Sequence, residues 1–470
     1  MGLTGQPSLV VLIRPVGASV SRPVSGRGKV ESMTSIKSQF LNVDRPLAGA
    51  VFGLVLIGVL SIYSAGVTNE GQSVSDEYIR QSVWALSGFV FMAAAILIDY
   101  RKVRDYTPIF YAAFLFILVL VAFLGRTVNG ARSWLRVGDF GVQPSEFMKP
   151  ATILFLARYL SEAEHTSSFR RLLVSSVIIL IPVALILPQQ DFGTALVFFP
   201  ILLVMLLASD LDRRYLIFVC AWTLVVVAFV MLPLLDKYVF RNPSPAAHVF
   251  YQAPYDFAIM GVCALVAGLA IWGWFSYKRR YYYWMAFVAS IFALGLLAAT
   301  VAHHILRDYQ MLRLIVFLDP NVDPQGSGWN IGQSVVAIGS GGFSGEGYLQ
   351  GTQSHLHFLP EQSTDFIFSM VAEEWGFLGG FIVFALYFVV FWRCITLMKT
   401  TEDRYAYFVT AGILGMLMFH FMINTGMVMG IMPIMGIPLL LVSYGGSSMW
   451  MALLSIGILL GISSRRYSSY

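Results

Sequence analysis

The segment HFLPEQSTDFIFSMVAEE, residues 357–374, places a carboxylate, Asp365, where a polar stretch turns into an apolar run. Ser363, Thr364 or Asp365 can cap a helix start there by accepting a free backbone N–H. A carboxylate at a helix mouth can also take a proton from a bound hydroxyl, and the helix dipole favours its ionised form. Glu373 and Glu374 follow about 12–14 Å further along, at 1.5 Å per residue. Ionisable groups inside an apolar span cost ~2.5–3.5 kcal/mol each and usually face a cavity or a partner. A buried structural network is the other use for them.

Three more segments carry groups of this kind. In QPSEFMKPATILF, Glu146 and Lys149 are three residues apart, share a helical face and can pair. NGARSWLRVG sets Trp134 between Arg132 and Arg136, either as an interfacial anchor or as a surface for a sugar and pyrophosphate headgroup. PQQDFGTAL puts Asp191 at another helix start, as a cap or as a site residue. The glycines of AIGSGGFSGEG permit close backbone approach, suiting a segment that folds back on the membrane or cradles a ligand. No strand–turn–helix context makes it a nucleotide loop. His303, His304, His355 and His357 lack Cys or carboxylate neighbours at ligand spacing, so no metal site is expected. Cys220, Cys263 and Cys394 lie in or beside apolar runs and imply no disulfide framework.

These groups must be positioned by helices in lipid. The 470 residues are 57% hydrophobic and 12% charged, against roughly 25% charged in soluble domains. Apolar runs long enough to cross ~30 Å of hydrocarbon recur along the chain. The expectation is an all-α polytopic membrane protein with twelve spans, near 46–66, 79–99, 106–125, 145–161, 172–189, 191–208, 215–235, 255–275, 283–303, 364–391, 406–427 and 438–463. Ten or eleven spans is the closest rival, since the fourth run is short and charged at its start and only PQQDFG separates the fifth from the sixth. With a cytoplasmic N-terminus, the inner segments 1–45, 100–105, 158–171, 209–214, 276–282, 392–405 and 464–470 hold 22 of the 31 basic residues. Both termini are then cytoplasmic. The net charge of +5 is a topology signal, and nucleic acid is not an expected partner. Residues 1–45 read as a disordered cytoplasmic tail, with Met33 an alternative start. Residues 46–235 hold the N-terminal spans and an outer loop at 126–144, and 236–303 hold a transmembrane hairpin. A large outer loop at 304–363 leads to the C-terminal spans, 364–466. Loops of such length are uncommon unless functional, and both lie on the side of Asp365.

Together NGARSWLRVGDFGVQPSEFMK, QQDFGTAL, FLDPNVDP, AIGSGGFSGEGYLQGTQSHLHFLPEQSTDFIFSMVAEEWGFLG and MPIMGIPLLLVSYGGSSM resemble the SEDS family (shape, elongation, division and sporulation) from about Arg45 to Arg466. GTQSHLHFLPE is closer to its elongation branch than to its division branch. The resemblance implies a ten-helix core, so that 236–303 would be an inserted hairpin in a SEDS-type bundle. It implies an inner-membrane peptidoglycan glycosyltransferase that polymerises lipid II on the extracytoplasmic face. It also implies a growing undecaprenyl-pyrophosphate glycan and a class B penicillin-binding protein within the elongation machinery as partners. The family's essential Asp falls on Asp365, its important Trp on Trp134, and its paired Glu and Lys on Glu146 and Lys149. Arg132, Arg136 or Lys149 would face the leaving pyrophosphate, where a divalent cation, Mg or Mn, is compatible with the reaction but has no specified ligands. Ser363 stands where the family usually has His, Glu346 replaces a basic residue, Gln190 replaces Pro, and Met435 and Leu440 replace Thr and Pro. A lipid flippase and a non-catalytic scaffold that activates a penicillin-binding protein are the rival readings. A solute transporter ranks below both, for want of paired broken helices in a repeat.

Overall fold

The computed structural model describes residues 42–67, 75–128, 131–137, 140–238, 255–305, 308–356, 358–359 and 361–465. The expected tail up to residue 41, with Met33, lies outside the described residues, as do 239–254 of the expected hairpin.

The chain opens with α1 (Arg45–Ala65), α2 (Glu77–Leu97) and α3 (Tyr100–Leu124). Aspartates set two of these starts: Asp44 accepts from the Leu47 amide, and Asp99 from that of Arg101. A small antiparallel sheet follows where a loop was expected, with strands β1 (Arg126–Val128), β2 (Ala131–Val137) and β3 (Phe140–Val142) in the order β1-β2-β3. Next come α4 (Pro144–Glu162), α5 (Ser168–Ile186), α6 (Phe192–Leu207), α7 (Arg213–Tyr238), α8 (Tyr255–Tyr277) and α9 (Arg280–Ile305). The stretch expected as a second loop folds into α10 (Asp308–Val316), α11 (Ser327–Ser340) and the single turn α12 (Thr352–His355). The chain closes with α13 (Ile367–Thr400), α14 (Arg404–Val428) and α15 (Gly446–Arg465).

All twelve expected spans coincide with helices, but ten of the described helices are long and apolar enough to cross a membrane. α4 falls short because it carries Glu146, Lys149, Arg158 and Glu162. α6 falls short at 16 residues. The last helix begins at Gly446, later than expected, because 433–445 is irregular chain.

The core is built by α1, α4, α6, α13, α14 and α15, with α15 along α2, α14 along α6 and α13 along α1. In lipid, helix association rests on packing and interhelical hydrogen bonds, which favours small residues at contacts. Gly58 and Gly457 show this, since a Cβ at either would sit 2.4 Å from the Val442 carbonyl oxygen or 2.6 Å from that of Met92. α8 packs on α9 and α9 on α7, forming a peripheral layer that exposes Val262, Leu265, Leu269, Trp272 and Phe275.

α13 is broken at Gly376 (φ 65°, ψ −158°). The Gly-rich segment takes up the released backbone groups: the Glu346 and Gly347 amides donate to the Glu373 and Glu374 carbonyls at 3.0 Å, and the Phe377 amide donates to Gly342 at 2.9 Å. A break at membrane depth is tolerated when protein satisfies the backbone in this way. Gly345 (φ +82°) has to be glycine, because a Cβ there would lie 2.0 Å from the Glu374 carbonyl oxygen.

Candidate active site

A cavity of about 350 Å³ opens among the starts of α4, α6, α13 and α15, the sheet, and α10. Of the site residues expected from sequence, Trp134, Glu146, Asp191 and Asp365 line it.

Each is held by a local device. Asp191 caps α6 through the Thr194 amide at 3.2 Å, and its other oxygen accepts from Gln143 Nε2 (2.5 Å) and Ser145 Oγ (3.2 Å). It is thus a cap and a wall residue at once. Glu146 receives Lys149 Nζ at 2.8 and 2.9 Å, so the expected pair forms in a fully buried setting. Removing one partner from such a pair costs ~3–5 kcal/mol, because the other charge is left uncompensated. Lys149 sits behind Glu146, without surface in the cavity. Trp134 is placed by β2, its backbone opposite Arg126.

Asp365 lies on the turn before α13, half-buried, with its side chain at the cavity wall. Among the described residues no group donates a hydrogen bond to its carboxylate. Burial, then the charge of Glu361, push its pKa up to about 6, while the Arg313 guanidinium opposes them. That value lets the group be ionised, and still basic, near neutral pH.

Three expected site residues, Arg132, Glu373 and Glu374, stand elsewhere, and the side chain of a fourth, Arg136, is not among those described. Arg132 donates Nε to the Gly125 carbonyl (2.9 Å) and Nη2 to that of Phe123 (2.7 Å), tying down the end of α3. Arg136 is part of β2, opposite Gly141, and its side chain lies outside the described residues. Glu373 accepts the Gln353 amide at 2.6 Å, the Ser354 amide at 3.2 Å and the Ser354 hydroxyl, so it caps α12. Glu374 accepts from the Ser64 hydroxyl and stands 3.5 Å from His355 Nε2. Neither glutamate lines the cavity, because the Gly-rich segment draws that stretch of α13 toward α12 and α1.

Sequence reading missed Arg313, Gln310 and Glu361, all on the cavity wall. Gln310 and Arg313 share one face of α10 by i, i+3 spacing, and the short helix separates polar from apolar residues. That was the signal available. Two wall residues, Gln190 (φ 64°) and Glu361 (φ 53°), adopt left-handed backbone without being glycine, a strain of about 1–3 kcal/mol each that tends to cluster at functional sites. A proline, the usual family residue at position 190, has φ locked near about −65° and is incompatible with this turn.

Comparisons with known proteins show the family to which this chain belongs. The family model FTSW_RODA_SPOVE, described as Cell cycle protein, matches residues 45–247 and 256–468, a range that includes both α8 and α9. The chain is 44% identical over 423 residues to Peptidoglycan glycosyltransferase RodA of Treponema pallidum, covering 90% of this chain and 98% of that one. It is 30% identical over 414 residues to Peptidoglycan glycosyltransferase MrdB of Escherichia coli K12, covering 88% and 93%. A chain from the structure described as "Structural coordination of polymerization and crosslinking by a peptidoglycan synthase complex" superposes with a TM-score of 0.60 at 26% identity, covering 91% and 99%. The crystal structure of Thermus thermophilus Rod shape determining protein RodA shares the fold, with a TM-score of 0.57 at 23% identity over 91% and 99%. The chain belongs to the RodA/SEDS family of peptidoglycan glycosyltransferases.

Proposed function

We propose that this enzyme polymerises lipid II into β-1,4-linked glycan on the extracytoplasmic face of the bacterial inner membrane during cell elongation, with Asp365 as its general base. The observation that carries the reading is Asp365 itself, a carboxylate turned to a ligand-sized cavity and held with a raised proton affinity beside Arg313. Asp365 accepts the proton of the acceptor's N-acetylglucosamine 4-hydroxyl as that oxygen bonds to C1 of the donor glycan. The bond from C1 to the pyrophosphate breaks, undecaprenyl pyrophosphate leaves with the electron pair, and C1 inverts. Arg313, on the cavity wall beside Asp365, balances charge on the leaving pyrophosphate. Trp134 offers an apolar face to a sugar ring.

Among the described residues no three His, Cys, Asp or Glu side chains converge on a metal position. A divalent cation at the pyrophosphate, Mg or Mn, is compatible with the reaction, and no step above runs through it. We read α4 and α6 as short crossings that complete twelve, which keeps both termini cytoplasmic and agrees with the distribution of basic residues. A class B penicillin-binding protein is the proposed partner, supported by the likeness to a chain of a peptidoglycan synthase complex.

The test is glycan polymerisation from purified lipid II with a penicillin-insensitive readout, comparing the wild type with Asp365→Asn. Polymer from the wild type alone is expected. Polymer from both removes Asp365 from the chemistry. Lipid II crossing a vesicle bilayer without polymer would indicate a flippase.

A further inference from the structure

Asp365 has a backbone carbonyl as well as a carboxylate, and that carbonyl lies outside the helix ladder: the Ser369 amide of α13 donates to Phe366 instead. Fully buried Asn424 on α14 takes it up. Its Nδ2 donates to the Asp365 carbonyl at 2.8 Å and to the Ile437 carbonyl at 2.9 Å, clasping the turn before α13 to the irregular segment 433–445. One turn earlier on the same face of α14, His420 Nδ1 meets the Pro438 carbonyl at 3.0 Å, while its Nε2 is 3.3 Å from Lys149 Nζ. A ring nitrogen facing a carbonyl must carry the proton, so Nε2 offers its lone pair to the lysine. Neighbouring carbonyls at 437 and 438 are thus gripped by side chains four residues apart. A third link joins the two strips directly, where the Tyr444 amide donates to the Ser363 carbonyl at 2.9 Å. Pro438, Gly436 and Tyr444 all line the cavity. A Cβ at Gly436 would stand 3.6 Å from both Asp365 Oδ2 and Arg313 Nη1, so this strip is the surface against which the carboxylate rests.

We propose that Asn424 is a positioning residue for the reaction: its two-carbonyl clasp fixes the Asp365 carboxylate in the cavity against Gly436 and Arg313. A primary amide suits this role because it presents two donors in one plane. Leucine fills the same space with none, and an ionised aspartate sets oxygens against the two carbonyls. Released from the clasp, the turn lets the carboxylate move toward solvent, away from the groups that now face it. These are Arg313 on α10 and Glu361 on its own turn, with Glu146 and Asp191 across the cavity and Tyr444 beside it. Relaxed burial lowers the pH at which the group ionises.

The proposal rests on the general-base reading of Asp365, so one measurement must be independent of activity. Carbodiimide-driven labelling of Asp365 in the full chain, followed by peptide mass spectrometry across pH, reports its ionisation with no substrate present. The wild type is expected to titrate near pH 6, and Asn424→Leu at least one unit lower. In lipid II polymerisation the same variant should lose kcat about 30-fold or more, with KM within about threefold, since the clasp acts on orientation. Asn424→Ser keeps one donor and should fall between, which supplies an answer if the leucine variant does not fold. An unshifted labelling midpoint in a folded variant overturns the clasp. A shifted midpoint with Asp365→Asn still fully active leaves the clasp standing and overturns the general base instead.

Discussion

Asp365 and the Glu373–Glu374 pair are eight and nine residues apart on one stretch of chain, yet they belong to different chemical settings. Glu373 has its oxygens occupied by two amides and a hydroxyl of α12, and Glu374 leans on Ser64 and His355. Asp365 faces a cavity, with its backbone fastened and its carboxylate exposed to whatever enters. Lone pairs occupied in this way hold the fold together and are not offered to a substrate. A carboxylate held by its backbone keeps its lone pairs for a proton.

Four experiments would break or sharpen that contrast. The largest effect is expected from Asp365→Asn, which should reduce polymerisation of lipid II by about 10²–10⁴-fold with an unchanged melting temperature. A comparable loss of thermal stability would place Asp365 among the structural carboxylates. Next in size, Lys149→Met leaves Glu146 buried without its cation and should lower stability by about 3–5 kcal/mol, read as a lower melting temperature in detergent. Glu373→Gln keeps the shape but weakens three hydrogen bonds to α12. Charge-assisted bonds of this kind contribute about 1.5–3 kcal/mol each, so a lower melting temperature is expected while the folded fraction polymerises at nearly the wild-type kcat. A kcat loss without a stability loss would bring Glu373 into the chemistry.

The smallest and most diagnostic effect concerns pH. A base works only when ionised, so activity should fall as pH drops through about 6, the raised value of Asp365. Arg313 lowers that value, and Arg313→Gln should move the midpoint up. Glu361 raises it, so Glu361→Gln should move the midpoint down. Midpoints that ignore both substitutions would separate the observed titration from Asp365.

Legibility from sequence followed the range of the interaction. Glu146 and Lys149 were readable as a pair because helical periodicity alone brings residues three apart together. Asp191 was readable as a cap because the preference acts within one turn. Arg132 misled, since an arginine beside a tryptophan gives no sign of the α3 carbonyls it will meet. Glu373 and Glu374 misled more instructively: regular helix spacing carries no mark of the break at Gly376, and the break turns their surroundings toward α12 and α1.

Composition and apolar run length by themselves determined that this is a polytopic helical membrane protein and roughly where its long apolar helices lie, because lipid thickness and backbone hydrogen bonding act on local sequence. Only the tertiary structure decided which charged groups share a cavity. Bringing Arg313 beside Asp365, and Asn424 beneath it, depends on contacts between chain segments tens of residues apart, which local periodicity does not encode.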